Sequence, residues 1–381
     1  MCLSMIIVHY GEIGIKGKNR IFFEENLIRN IKELIKGARV RREHGRIIVY
    51  EDKGREILEN IPGIENFSFA YETNPDIEEI KNKAVEISKK IDFKSFRILT
   101  KRENKNFPYN SQEINRIVGE EIKNKLNKKV NLEKPELTIF IEICKSRAYI
   151  YTEKIKGIGG LPVGSQGKVI SLLSGGIDSP VASFLMMKRG CKNIFLHFYN
   201  ENLVAYPNKI EEIAKILAGF QGKTKIYLLQ FSDVQNEIIS NIKSKYRMIV
   251  YRRAMMKIAN NIAKKEKAKA IVTGDSIGQV ASQTIENLAC IYEASSLPVF
   301  SPLIGMNKNE IVDLARKIGT YEFSIKHMPD CCSFMVAKHP AIKAEIEEIK
   351  EMEKEINEGV IKKAIEKAIC KELILNKHLS L

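Results

Sequence analysis

Residues 171–182 read SLLSGGIDSPVA, and this stretch decides the fold. The apolar run at 169–173 reads as a short buried strand. Residues 180–189 read as a helix with Pro180 at or near its first turn, where a fixed φ and a missing N–H are tolerated. Strand, glycine-rich turn and helix together aim backbone N–H groups and a positive helix end at an anion. Phosphate is the obvious anion. Ser174-Gly175-Gly176-Ile177-Asp178-Ser179 is not a Walker A loop, because no G-K-[ST] follows, and it is not G-x-G-x-x-G. The physics is the same: without Cβ atoms the backbone can close around a phosphate and donate to it. Ser174 and Ser179 add hydroxyl donors, and Asp178 is suited to a Mg²⁺ that shares the phosphate charge. A purely structural turn is the competing reading, but the whole hexapeptide on strand–turn–helix points to a nucleotide phosphate.

Working outward, strands are expected at 169–173, 193–199, 225–230 and 270–273, with helices between them long enough for right-handed crossovers. That alternation predicts an α/β, doubly wound parallel sheet. Upstream, 156–168 (KGIGGLPVGSQGK) holds five glycines and one proline and reads as a linker. The chain therefore divides into 1–60, 61–155, the linker 156–168, 169–340 and a Glu/Lys-rich helical tail, 341–381. The first block alternates strand and helix (strands at 5–10 and 46–50, a helix at 21–35) and suits an α+β ferredoxin-like unit. The second places Phe107 and Tyr109 among Lys101, Arg102 and Lys105, the mixture that phosphate contacts and base stacking require. A solvated basic face with two ordinary loop aromatics is the plain alternative.

At 381 residues, a prior of about 150 per domain gives two or three domains. The net charge of +15, from 62 Lys+Arg against 47 Asp+Glu, favours a polyanionic partner, nucleic acid first. Lys/Glu-rich composition is also common in thermophiles, which weakens charge as evidence taken alone. The absence of an 18-residue apolar run excludes a membrane span, and the N-terminus does not read as a signal peptide. Seven irregularly spaced cysteines argue for a reducing cytoplasm, and the lack of any C-x-x-C removes the simplest zinc site.

The hexapeptide resembles the PP-loop of the ATP pyrophosphatases, which cleave ATP to AMP and pyrophosphate. With VYRRAMMKIA (250–259), TGDSIGQVASQT (273–284), MPDCC (328–332) and the opening YGEIGIKGKNRIFFEENL, the chain resembles the tRNA 4-thiouridine synthetases, or tRNA uridine sulfurtransferases. The resemblance covers about residues 5–340. It implies an N-terminal ferredoxin-like domain, a THUMP RNA-binding domain over 61–155 and a PP-loop domain. It implies an ATP site formed by Leu172, Leu173, Ser174, Gly175, Gly176, Asp178, Ser179, Arg252 (with Arg253 beside it), Gly274 and Gln283, and Asp275 as a magnesium or substrate partner. The family's sulfur-transfer cysteine falls at Cys332, with Cys331 as helper or resolving thiol. The implied partners are tRNA, through a uridine at position 8, and a sulfur donor, either sulfide or a persulfide carrier. Homodimerisation, an iron–sulfur cluster and a role in thiamine thiazole synthesis stay open. The tail lacks the rhodanese domain that many bacterial members append. Two rivals remain: another PP-loop adenylating enzyme, or a non-catalytic tRNA-binding protein with a relic nucleotide fold.

Overall fold

The computed structural model describes residues 5–51, 54–204, 206–326 and 337–374. The chain separates into two compact units, and the division falls at Gly159–Gly160, with Asn60–Gly63 grouped with the second unit. The break therefore lies inside the glycine-rich stretch.

The first unit runs β1 (Met5–His9), α1 (Arg20–Leu34), β2 (Arg39–Glu43), β3 (Arg46–Tyr50), α2 (Arg55–Glu59) and β4 (Asn66–Thr73). It continues with α3 (Ile77–Ser88), β5 (Ser95–Arg102), α4 (Ser111–Leu126), β6 (Lys129–Val130), β7 (Leu137–Ile143), β8 (Ala148–Tyr151) and β9 (Ile155–Lys156). One sheet takes in all nine strands, in the order β2-β3-β1-β4-β8-β7-β5-β6, with β9 also on β4. Strand β4 joins the halves: residues 66–70 pair with β1 and residues 71–73 with β8. The boundary expected at 60/61 thus precedes a strand common to both blocks, and backbone pairing runs on past it. In the later half of this unit, α3 and α4 bury Ile80, Ala84, Ile114, Val118 and Ile122 against Ile98, Ile139 and Ile141 of the sheet. The start of α4 is set by a capping box, Asn110 with Glu113, which satisfies two orphan N–H groups reciprocally.

The second unit runs β10 (Lys168–Leu172), α5 (Asp178–Lys188), β11 (Lys192–Tyr199), α6 (Asn208–Gln221), β12 (Thr224–Gln230), α7 (Ser232–Asn241), α8 (Arg247–Glu266) and β13 (Ile271–Val272). Then follow α9 (Ile285–Glu293), β14 (Val299–Phe300), α10 (Lys308–Lys317), α11 (Tyr321–Ser324), α12 (Ile346–Glu353), α13 (Glu358–Glu366) and β15 (Ile369–Leu373). The sheet order is β14-β13-β10-β11-β12-β15. The first five strands are parallel, as the apolar strand–helix alternation predicts. The chain winds from β10 outward through β11 and β12, then returns to the other side of β10 for β13 and β14. Between β10 and β13 the winding direction reverses, and in such sheets ligands bind beyond the carboxyl ends of the strands at that point. The tail departs from the all-helical expectation: after α12 and α13 it ends in β15, which pairs antiparallel with β12. Five residues, ICKEL, are too few for a two-residue and a 3.6-residue period to be told apart.

Candidate active site

The loop after β10 and the segment that follows β13 meet at this switch point. Ser174 N donates to Ser179 Oγ at 2.8 Å, and the two serine hydroxyls lie 3.0 Å apart. Gly176 N reaches Ser174 Oγ at 3.3 Å, so the loop is folded back on the first turn of α5. Opposite it lies Gly274. A Cβ there would sit 2.8 Å from Ser179 N and 2.9 Å from Ser179 Cα, both backbone atoms with nowhere to move. Glycine at 274 is a packing requirement of the loop.

Asp178 opens α5 and sits at its positive end. Its Oδ1 accepts from Lys308 Nζ at 2.6 Å and its Oδ2 from Gln279 Nε2 at 3.1 Å. Lys308 is the first residue of α10, whose start is fixed by a capping box of Asn307 and Glu310. On the far wall, Arg252 of α8 donates through one nitrogen to both oxygens of Asp275, at 2.7 and 2.6 Å. Asp275 also accepts from Gln283 Nε2 at 2.9 Å and Tyr292 Oη at 2.7 Å. Burial pushes the Asp275 carboxyl up, but the Arg252 guanidinium and the hydrogen bonds outweigh it and hold it below the usual carboxylate range. Burial beside this carboxylate pushes the Tyr292 phenol up to about 12.

The loop, Gly274, Arg252, Asp275 and Gln283 line a cavity of about 740 Å³. Its wall includes Leu172, Leu173, the loop from Ser174 to Ser179, Arg252, Gly274 and Gln283, so every expected ATP contact faces one space. The β11 end adds His197 and Phe198, with His197 Nδ1 2.8 Å from Leu173 O.

Not every sequence expectation survives. Arg253, one residue beyond Arg252, is 2% exposed and faces away from the cavity into ion pairs with Glu353 at 2.9 Å and Glu293 at 3.0 Å. It ties α8 to α9 and α12. Phe107 is buried in the core beneath α3 and α4, with Tyr109 packed against the same cluster, so the Phe107 ring offers no face to a base. Arg102 is engaged too, donating to Phe107 O and Tyr109 O at 3.1 Å. Lys101 and Lys105 are exposed. Cys331 and Cys332 lie outside the described residues. The chain on either side of them, at Lys326 and Ala337, lines the cavity.

Lys308, Gln279, Tyr292 and His197 were not anticipated. Gln279 lay inside a quoted motif, but nothing in the sequence links Lys308 to a carboxylate 130 residues earlier. Asp275 does not suit a metal ligand, because it is buried and four donor contacts from Arg252, Gln283 and Tyr292 crowd its two oxygens, whereas Asp178 is partly exposed with one donor on each. Among the described residues there is no group of three or more His, Cys, Asp or Glu able to hold a metal by itself. Mg²⁺ normally takes one or two carboxylates together with substrate phosphates, and Asp178 at the loop fits that pattern.

A parallel sheet with an SGG-x-DS loop at its switch point defines the chain as a PP-loop protein. The chain belongs to the tRNA sulfurtransferase family. Residues 164–357 match the family described as thiamine biosynthesis protein (ThiI), 74–153 the THUMP domain and 5–68 the ThiI ferredoxin-like domain. A probable tRNA sulfurtransferase of Caldanaerobacter subterraneus is 42% identical, over 93% of this chain and 96% of its own length. One from Acetivibrio thermocellus is 41% identical, over 95% and 97%. Among solved structures, a 4-thiouridine synthetase in complex with RNA and bound ATP superposes with a TM-score of 0.89 at 35% identity, covering 97% of this chain and 100% of that one.

Proposed function

We propose that this chain binds ATP in the switch-point cavity and uses it to adenylate a tRNA uridine, at position 8, whose O4 is then replaced by sulfur to give 4-thiouridine. The observation that carries the proposal is the convergence of the folded Ser174–Ser179 loop, Gly274, Arg252 and Gln283 on one cavity. Loop N–H groups and the α5 N-terminus face the phosphates. In the first step the uracil O4 attacks the α-phosphorus, the N3 proton leaves and pyrophosphate departs. Lys308 sits beside Asp178, where it can follow the negative charge that builds on the leaving pyrophosphate. Asp178 would hold Mg²⁺, which when bound with the nucleotide shares the phosphate charge. In the second step a sulfur nucleophile adds at C4 and AMP leaves with the former O4. Cys332 is the proposed principal thiol and Cys331 its resolving partner, supported by the resemblance of MPDCC to the family's sulfur-transfer position. A thiolate-derived nucleophile is the reason for a cysteine there. The family description also supports a second outlet for sulfur in thiamine thiazole synthesis.

The test combines purified protein, ATP, Mg²⁺, sulfide and unmodified tRNA transcript, read by the near-ultraviolet absorbance of 4-thiouridine. Wild type should thiolate the tRNA, and Asp178→Ala should lose at least about 100-fold. Cys332→Ala should still release pyrophosphate from ATP in the presence of tRNA, yet fail to use a persulfide donor. Absence of both thiolation and tRNA-stimulated AMP release, with tRNA still bound, would leave only a binding protein.

A further inference from the structure

We infer that Lys209 on one side, and Thr284 with Asn287 on the other, are positioning residues for sulfur delivery: they pin the chain at the cavity wall before and after the stretch that carries Cys331 and Cys332. This rests on the reading of those cysteines as the sulfur carriers and adds what aims them.

In the sequence, Cys332 falls six residues after Lys326 and five before Ala337. Lys326 and Ala337 both line the nucleotide cavity. A short tether reaches only as far as its anchors allow, so whatever holds the two anchors governs where the thiol can act. On the entering side the anchor is Lys209, in the first turn of α6 and itself part of the cavity wall. Its Nζ donates to Ser324 O at 2.8 Å and to Lys326 O at 2.7 Å. The ammonium thus caps the carbonyl end of α11, where a cation is favoured.

On the leaving side, residues 341–344 belong to no helix or strand, yet the start of α9 holds them by side-chain hydrogen bonds. Thr284 Oγ1 accepts from Asn287 N at 3.2 Å and donates to Ile342 O at 2.8 Å, so one hydroxyl both caps α9 and grips the segment. Asn287 is fully buried. Its Nδ2 donates to Ala281 O at 2.7 Å and to Ala341 O at 2.8 Å, and its Oδ1 accepts from Ala344 N at 3.1 Å. A primary amide carries two donors and an acceptor in one plane. Here it uses them to join Ala281 of the nucleotide wall to the chain returning from the cysteines. Sulfur attack at C4 of an adenylated base needs the thiol brought to that same wall, and these bonds set one against the other.

The experiment follows single turnovers of the full chain with ATP, Mg²⁺ and unmodified tRNA transcript, supplied with either inorganic sulfide or glutathione persulfide. Released pyrophosphate and 4-thiouridine are both measured. Wild type, Lys209→Met, Thr284→Val, Thr284→Ser and Asn287→Leu are compared. With the persulfide, 4-thiouridine formed per pyrophosphate released should fall at least about tenfold in Lys209→Met and Thr284→Val, whereas with sulfide it should stay within about twofold of wild type. Thr284→Ser, which keeps the hydroxyl, should restore the ratio. A purely structural role would lower pyrophosphate release and the use of both donors alike. A persulfide ratio unchanged in Lys209→Met and Thr284→Val, or an equal fall with sulfide, overturns the inference while leaving the proposed function intact. A wild type that uses sulfide but not the persulfide overturns the inference and leaves adenylation standing. Absence of pyrophosphate release by wild type overturns both. Lys209→Met and Thr284→Val decide the matter if Asn287→Leu does not fold.

Discussion

At the scale of single residues, the site depends on what is missing as much as on what is present. Gly274 lets β13 approach the first turn of α5 so closely that a methyl group has no room. Gly274→Ala should therefore displace the Ser174–Ser179 loop while leaving the sheet folded. The expected result is a nucleotide affinity at least about tenfold lower by titration, with a thermal midpoint within a few degrees of wild type. Equal losses of affinity and stability would mean that the glycine serves the fold and not the loop. Arg252 and Arg253 show the same economy. Successive residues on a helix point about 100° apart, so of two adjacent arginines one reaches the cavity and the other the interior. Sequence neighbours on a helix are poor candidates for a shared role.

At the scale of elements, an aromatic among cations proves to be a core residue. Phe107 closes the apolar layer between α4 and the sheet, while Lys101 and Lys105 stay in water. Phe107→Ala should cost about 3–5 kcal/mol of stability in the first unit, measured by denaturant unfolding. Lys101→Ala and Lys105→Ala should leave stability within about 0.5 kcal/mol. If they touch RNA phosphates, each should reduce the salt slope of tRNA binding by about 1. A Phe107 variant that folds normally but loses tRNA would restore a stacking role. The elements that the sequence revealed were those with strong local punctuation. The strand–glycine–helix signature at 169–189 located the loop, and the apolar runs at 5–10 and 46–50 located β1 and β3 to within a residue. Strand β4 escaped because its buried positions include Ser68 and Ala70, which carry no strand signature. In the site, motif residues were legible because they cluster in sequence. Lys308 and Tyr292 were not, since only folding brings them to Asp178 and Asp275.

At the scale of the molecule, each unit is organised around one sheet, and each sheet is closed by a long-range device. In the first unit, Glu142 of β7 accepts from Tyr151 of β8 at 2.7 Å, with His9 of β1 also at 2.7 Å and Arg46 of β3 at 3.3 Å. Burial raises this carboxyl, but the His9 hydrogen bond and the charges of His9 and Arg46 prevail and lower it from an ordinary 4.5 to about 2. A depressed folded value means that the stabilisation is complete above about 4.5 and is lost as pH falls toward 2. At about 1.4 kcal/mol per pH unit, the span is on the order of 3 kcal/mol. Chemical unfolding of the first unit should show a flat stability above pH 5 and a decline below it, and Glu142→Gln should be less stable at neutral pH with a much shallower decline. An equally steep decline in the variant would assign the acid sensitivity elsewhere. In the second unit the corresponding device is β15, laid antiparallel on β12 from the far end of the sequence. Order of synthesis then matters. While residues 369–373 are still inside the ribosome, β12 presents an open row of N–H and C=O groups to any passing chain. A message cut short just before those codons would yield a protein that has every group lining the nucleotide cavity and yet tends to aggregate.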